Sequence, residues 1–486
     1  MRTRLGMVVV ALAVLALPLT GERPTWAQRG PIKVALLVPT TGPLSANGRD
    51  MINGLELYFE EQKYRLAGRE IKLIVEDDEG KPATGLTKAR GLVEGQGVHV
   101  ILGPLSAAVG YAIAPYLDGK KVPTIFPIVS SEDITQRKRS PYIVRTGWTS
   151  AQPMHPFGKW VYDNLKYRKI AMIGYDFAFG WEVAAGFHRT FEEAGGQVVQ
   201  KLWPPLNTPD FAPYVAQLRR DVDAVWCVFS GADALRFSKQ YAEAGLRERL
   251  PLIGNGTFTD EHVLRTMGDE VLGVITAHQY SAALQTPANK KFVAAYEARF
   301  KQVPSYYSEG TYVAGVALRA ALEATGGDIE TVDKFLGAFR RADLSDAPRG
   351  AVRFDDFGNP IQNIYVRKVE RVGGRLQNTV IHTFPNVSQF WTYRPEEYLK
   401  NRVYSRDYPP CTRCRRPCEP SCGRGGTARG SSSSAASAAC STAGARCSRR
   451  SCRVPSSSVR PARRWSSSSW RTCWSRSTAR PRARRS

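Results

Sequence analysis

Between residues 33 and 369, short apolar runs rich in β-branched side chains alternate with stretches where apolar positions recur every three or four residues. The runs at 33–39, 71–75, 98–102 and 122–127 read as strands, and 47–62, 82–94 and 106–117 between them read as helices. The first of these helices sets Met51, Ile52, Leu55, Tyr58 and Phe59 on one face, which predicts that this face is buried. An irregular stretch, Arg145-Thr146-Gly147-Trp148-Thr149-Ser150, breaks the pattern and is the expected crossing between domains. The alternation restarts with strands at 169–174, 197–202, 223–229 and 252–254, with helices opening at Gly180, Asp210, Ala232 and Asp260. Three helical patterns, at 289–300, 308–324 and 331–339, follow without strands of their own, so the chain is expected to return there to the first unit and to cross back for 350–354 and 363–369. The expected fold class is α/β, with two Rossmann-like lobes built on parallel sheets. Lobe 1 is read as 30–148 with 279–345, lobe 2 as 149–278 with 346–395, and 396–410 as a C-terminal extension.

The two ends differ from this body. Arg2 and Arg4 precede an unbroken apolar stretch from Leu5 to Leu19, and Thr25-Trp26-Ala27 supplies small residues where a signal peptidase reads. Residues 1–27 are therefore read as a secretory leader, too short to span a bilayer, with a mature start near Gln28. The formal charge of +24 is concentrated at the other end: residues 411–486 hold 18 Arg and a single acid, Glu419, leaving only +7 for the rest. The body is thus mildly basic and shows no stripe of mixed Lys, Arg and aromatic residues for nucleic acid. Eight of the nine cysteines also lie in that end segment, which has 19 Ser and no Lys, His, Tyr, Phe, Ile, Met or Leu. Such a composition cannot build a core and is expected to be disordered; it also matches a GC-rich coding strand read out of frame. Its spacing Cys411-x2-Cys414-x3-Cys418-x3-Cys422 lacks an ordering context for a metal. The remaining thiol, Cys227, lies in an apolar run and reads as buried and inert.

Catalytic chemistry finds little support. Gly254-x-Gly256 has Thr259 where a dinucleotide loop needs its third glycine, no phosphate-binding Gly-Lys-Ser/Thr loop occurs, and there is no nucleophile elbow. The six His are scattered singly. Glu76-Asp77-Asp78-Glu79 sits between a strand and a helix, where acids would complement the helix dipole. No enzyme, metal or cofactor is expected. What remains is a set of turns at the carboxyl ends of strands, where open α/β sheets bind ligands. The turn at 102–108 opens a helix, so its free N–H groups and the Ser106 hydroxyl could hold a carboxylate, or Ser106 could simply cap the helix. Residues 126–131 offer a second such end.

The opening Val34-Ala35-Leu36-Leu37-Val38-Pro39-Thr40-Thr41-Gly42-Pro43-Leu44-Ser45, with Gly54-Leu55-Glu56-Leu57, Val75-Glu76-Asp77-Asp78, Ile101-Leu102-Gly103-Pro104, Phe179-Gly180 and Glu193-Ala194-Gly195-Gly196, resembles the branched-chain amino-acid type of periplasmic substrate-binding protein. The resemblance runs from about Ile32 to about Phe390. It implies the type I periplasmic binding fold, two lobes joined by a multi-strand hinge, and a monomeric receptor that closes on a small molecule and delivers it to an ABC permease and its ATPase. It also implies that Ala107, with Ser106 beside it, and Ser130 face the ligand carboxylate, and that Phe179 stacks on the ligand from the second lobe. On the ammonium side the family tyrosine falls on Ser230 and the family glutamate on Gly256, flanked by Asn255 and Thr257. Ser45, Ile128 and Tyr280 complete the candidate set, and Trp148, Gln152 and His155 are candidate hinge or pocket groups shared with relatives that bind aromatic acids. A buried ammonium without a carboxylate partner costs several kcal/mol, so the reading favours an aromatic or other small organic acid. The alternatives are a branched-chain amino-acid or amide receptor, or a ligand-sensing module of the same fold.

Overall fold

The computed structural model describes residues 30–411. The expected leader and nearly all of the Arg/Ser/Cys-rich tail lie outside them. The first sheet contains β1 (Ile32–Val38), β2 (Arg65–Leu66), β3 (Arg69–Asp77), β4 (Val100–Leu102), β5 (Thr124–Phe126) and β6 (Ile143–Arg145), in the order β2-β3-β1-β4-β5-β6. All its pairings are parallel except the short β2–β3 hairpin. The second sheet is laid out likewise. β7 (Lys169–Gly174), β8 (Gln197–Leu202), β9 (Ala224–Val228), β10 (Leu252–Asn255) and β11 (Ile275–His278) run parallel in the order β8-β7-β9-β10-β11. An antiparallel flank of β12 (Arg353–Phe354), β13 (Pro360–Val372) and β14 (Arg375–Val387) extends it beyond β11.

Helices cover the faces of both sheets, which is why β1 and β9 are apolar almost throughout: six of seven β1 residues and all of β9 are buried. Each such Leu or Val contributes about 1.5–3 kcal/mol of transfer free energy. The helix Ser45–Glu61 buries the predicted face against Tyr306–Thr325, and Thr311 donates from that second helix to the Met51 carbonyl at 2.7 Å. The helices Pro287–Phe300 and Tyr306–Thr325 therefore lie beside the first sheet although they follow the second in sequence. Among the described residues no helix is long and apolar enough to cross a membrane.

Several expectations are corrected. Strands β2, β6, β11 and β14 were not anticipated, and Arg145, read as the first residue of an irregular crossing, is the last residue of β6. The pattern at 82–94 divides into the helix Pro82–Arg90 and a π-helical turn, Gly91–Gly95. The acidic run is not a helix cap. The helix after it has no acid in its first turn, and Asp77 instead accepts from the Thr40 and Glu79 backbone N–H groups and the Thr41 hydroxyl at 2.7–2.9 Å. Burial works to raise the Asp77 carboxyl, but these hydrogen bonds outweigh it and hold the group at about 2. Cys227 is fully buried, and burial pushes its thiol well above the ordinary range.

Candidate functional site

In both sheets the strand order reverses at one point, between β1 and β4 and between β7 and β9. Ligands of open α/β sheets bind outside the carboxyl ends of strands at such reversals. A cleft lies there. Leu44 reaches it from the turn after β1, Ser106 and Ala107 from that after β4, and Ile128 and Ser130 from that after β5; Trp148 follows β6. From the other lobe come Tyr175, Phe177 and Phe179 after β7, Leu206 after β8 and Ser230 after β9. The close approach of β4 to β1 requires Gly103: its φ is +98°, and a Cβ there would stand 2.1 Å from the Leu37 carbonyl oxygen.

Ser106 opens the helix Ala107–Gly119 without a side-chain capping bond, so its hydroxyl is not consumed by the helix. The first intrahelical bond is from Gly110 N–H to the Ser106 carbonyl at 2.9 Å, and the N–H groups before it serve no carbonyl of the helix. Together they make a donor-rich end suited to an anion. Six aromatic rings form the rest of the wall. Trp148 meets Phe179 edge to face at 6.0 Å and Tyr306 at 6.3 Å, and Tyr306 lies 4.0 Å from Tyr307. Trp148 is buried, and its Nε1 donor has no partner among the described residues. Behind it the His278 ring sits 4.9 Å away, also unpartnered; burial, with Arg367 and Arg349 nearby, pushes its pKa well below the usual range and keeps it neutral. Tyr175 donates to the Ser230 carbonyl at 3.0 Å and accepts from the Ser230 N–H at 3.1 Å, which fixes the far end of the cleft. No lining residue carries a charged side chain.

Seven of the eleven residues singled out from sequence line this cleft: Ser106, Ala107, Ile128, Ser130, Trp148, Phe179 and Ser230. Four do not. Ser45 begins the helix beside the lining residue Leu44. Asn255 turns its amide oxygen back onto the Thr257 N–H at 3.0 Å. Gly256 is packed so that a Cβ would meet His278 at 2.4 Å and Arg367 at 2.6 Å, and Tyr280 donates to Asn289 at 3.0 Å in the segment joining the lobes. Gln152 ties the Pro360 and Val387 carbonyls together at 2.8 and 2.9 Å, and His155 is buried under Tyr393 and Tyr398, so both act in the joint and not in the cleft. Tyr175, Phe177, Tyr306 and Tyr307 were missed. Tyr175 and Phe177 follow a recognised strand, whereas the Tyr306-Tyr307 pair begins a helix whose aromatic stripe reads as core.

The lobes meet on both sides of the cleft. Tyr111 donates to Glu182 at 2.7 Å on one side. On the other, His262 and Arg265 face Asp50 at 3.2 and 3.3 Å, and Ser305 donates to Asp50 at 2.7 Å.

The family model described as periplasmic binding protein matches residues 31–375. The chain is 36% identical to a solute-binding protein of an ABC transporter from Rhodopseudomonas palustris BisB5, solved in complex with 3,4-dihydroxybenzoic acid, with a TM-score of 0.70 over 74% of this chain and 98% of that one. It is 29% identical to a second R. palustris solute-binding protein, solved with benzoate, with a TM-score of 0.70 over 74% and 98% of the two chains. Among curated proteins it is 29% identical to Leu/Ile/Val-binding protein homolog 6 of Brucella melitensis over 77% of this chain and 96% of the relative. With two parallel-sheet lobes and a cleft at their strand ends, this chain belongs to the periplasmic binding protein family.

Proposed function

We propose that the protein is the extracytoplasmic receptor of an ABC importer, and that it binds a small aromatic carboxylate between its lobes. The observation that carries this reading is the character of the cleft: six aromatic rings, serine hydroxyls at a helix start, and no charged side chain. A flat ring matches the walls formed by Trp148, Phe179 and Tyr306. The acid group matches the donor-rich end at Ser106, Ala107 and Ser130, where free N–H groups and hydroxyls stabilise an anion without a full positive charge. The benzoate and dihydroxybenzoate complexes of similar proteins support the same ligand class.

The names of the curated relatives favour a branched-chain amino acid instead. Such a ligand would bring an ammonium group to a wall with no acid on it, at a cost of several kcal/mol. Periplasmic location and a partner permease with its ATPase follow from the receptor role. A thermal-shift screen of aromatic acids, aliphatic acids, amides and amino acids tests the reading. Stabilisation by benzoate or a hydroxybenzoate is expected, and stabilisation by leucine with none by any aromatic acid would overturn it.

A further inference from the structure

Ser130, on the cleft wall, is joined to Glu182 through one intermediate hydroxyl. Ser130 Oγ lies 2.9 Å from Ser150 Oγ, and Ser150 Oγ lies 2.9 Å from Glu182 Oε2. All three residues are buried, with Glu182 only 2% exposed. Each serine has one proton to give, and Ser150 Oγ also lies 3.0 Å from the Ser130 carbonyl oxygen, so the Ser150 proton has three acceptors within reach and the charge on Glu182 decides among them. Glu182 Oε1 accepts from Tyr111, whose oxygen in turn accepts from the Asp133 N–H at 3.2 Å, so Tyr111 must donate. A proton on Glu182 therefore belongs on Oε2, which faces Ser150 and keeps a lone pair for the Glu132 N–H at 3.2 Å.

When Glu182 is ionised, Ser150 gives its proton to the carboxylate. The 2.9 Å contact between the serines then requires Ser130 to donate to Ser150, and Ser130 shows the cleft only lone pairs. When Glu182 is neutral, its Oε2–H donates to Ser150, Ser150 is released to donate to Ser130 Oγ or to the Ser130 carbonyl, and donation to Oγ frees the Ser130 proton to turn toward the cleft. Only the second arrangement lets Ser130 add its own donor to those at Ser106 and Ala107. Resting on the receptor reading above, we propose that Glu182 is a positioning residue for the acid end of the ligand: the carboxylate is held by the form in which Glu182 is protonated, and where Glu182 is ionised, binding draws one proton from solvent onto it and resets the Ser130–Ser150 relay.

The surroundings suit this role. Burial, with the Glu132 carboxylate beside it, pushes the Glu182 carboxyl up to about 8, against the hydrogen bonds from Tyr111, Ser150 and the Glu132 N–H. The charged and titratable groups facing it are Tyr111 from the helix Ala107–Gly119, Glu132 from the turn after β5, and Arg145 from the end of β6. Arg145 is committed to the carbonyls of Val129 and Ser131 and to Asn359, so it does not pair directly with Glu182. Near the cleft, His278 stays neutral over the same range.

The test is calorimetric titration with benzoate between pH 6 and pH 9.5, in buffers of different ionisation enthalpy. The expected Kd is flat at the acid end and rises above about pH 8 by up to tenfold per pH unit, with close to one proton taken up per ligand. In Glu182→Gln and, separately, Ser150→Ala, both the slope and the proton uptake disappear. A wild-type Kd that is constant to pH 9.5 with no proton uptake, or an unchanged slope in both relay variants, overturns the proposal and leaves the receptor reading standing. Absence of binding by every carboxylate at any pH overturns both.

Discussion

Arg349 and Glu309 form a fully buried ion pair at the joint between the lobes, with Arg349 Nε donating to Glu309 Oε1 at 2.8 Å. The same guanidinium donates to the Thr146 carbonyl at 3.1 Å and to the Gln362 side chain at 3.0 Å. It thereby binds the first crossing of the chain to the segment before β12 and to the start of β13. The stretch 146–150, expected from its irregular pattern to be the hinge, is thus clamped by a residue some 200 positions away.

Removing one partner of such a pair leaves a buried charge without compensation. Arg349→Met is expected to lower stability by about 3–5 kcal/mol, and adding Glu309→Met should recover part of the loss. Urea denaturation measures both. A loss below about 1 kcal/mol in the single variant would show that the pair does not hold the joint.

Tyr111 reaches across the cleft to Glu182 from a half-buried position. Its replacement by Phe deprives a buried acid of a donor and removes an interlobe bond, at a cost of about 1–2 kcal/mol. The expected result is an affinity for benzoate roughly tenfold weaker, since 1.4 kcal/mol is a factor of ten. An unchanged affinity would mean that this bond is equally present when the lobes are apart.

Asp77 holds the turn that carries Leu44 into the cleft. Its carboxyl is depressed in the folded protein, to about 2. A group of this sign contributes stability that is fully present above its unfolded pKa of about 4 and is lost as pH falls through about 2. Asp77→Asn is therefore expected to reduce the difference in stability between pH 5 and pH 2.5. Because the site is partly open to water, the effect should stay near 1 kcal/mol. Identical acid titration of the two proteins would remove Asp77 from the account.

The segment after β14 straps both lobes. Arg137 donates to the Leu399 and Asn401 carbonyls at 3.1 and 2.8 Å, and Lys201 donates to the Pro409 carbonyl at 2.6 Å. Tyr393 and Tyr398 cover His155, whose pKa burial, aided by Arg189, lowers to about 3. Truncation after Trp391 is expected to lower the melting temperature by several degrees, whereas truncation after Pro410 should leave folding and binding intact. Equal melting temperatures for the two truncations would contradict the strap.

Much of this architecture is legible in the sequence because parallel strands buried on both faces leave continuous apolar runs: β7 and β8 appear there with their observed limits. The same physics marks Ser106 and Ser130, small polar residues just past a buried strand. Strands β6 and β11 are short, three and four residues, and carry Arg145 and His278, so no apolar run announces them. The long β13–β14 hairpin has one face in solvent, and its polar positions conceal β14. Family correspondence alone placed Gly256, with Asn255 beside it, at the ligand, but here Asn255 serves its own turn and the space a side chain at Gly256 would need is filled by His278 and Arg367. The Arg349–Glu309 pair and the Ser130–Ser150–Glu182 relay depend on contacts between distant segments, for which local pattern carries no signal.

The central claim is that the cleft holds an aromatic acid by hydroxyls and amide protons and has no counter-charge for an amine. Competition calorimetry at pH 7, with benzoate titrated into protein alone and into protein saturated with leucine, tests it most directly. Benzoate is expected to bind with the same affinity in both cases. Displacement of benzoate by leucine at micromolar concentration would contradict the claim.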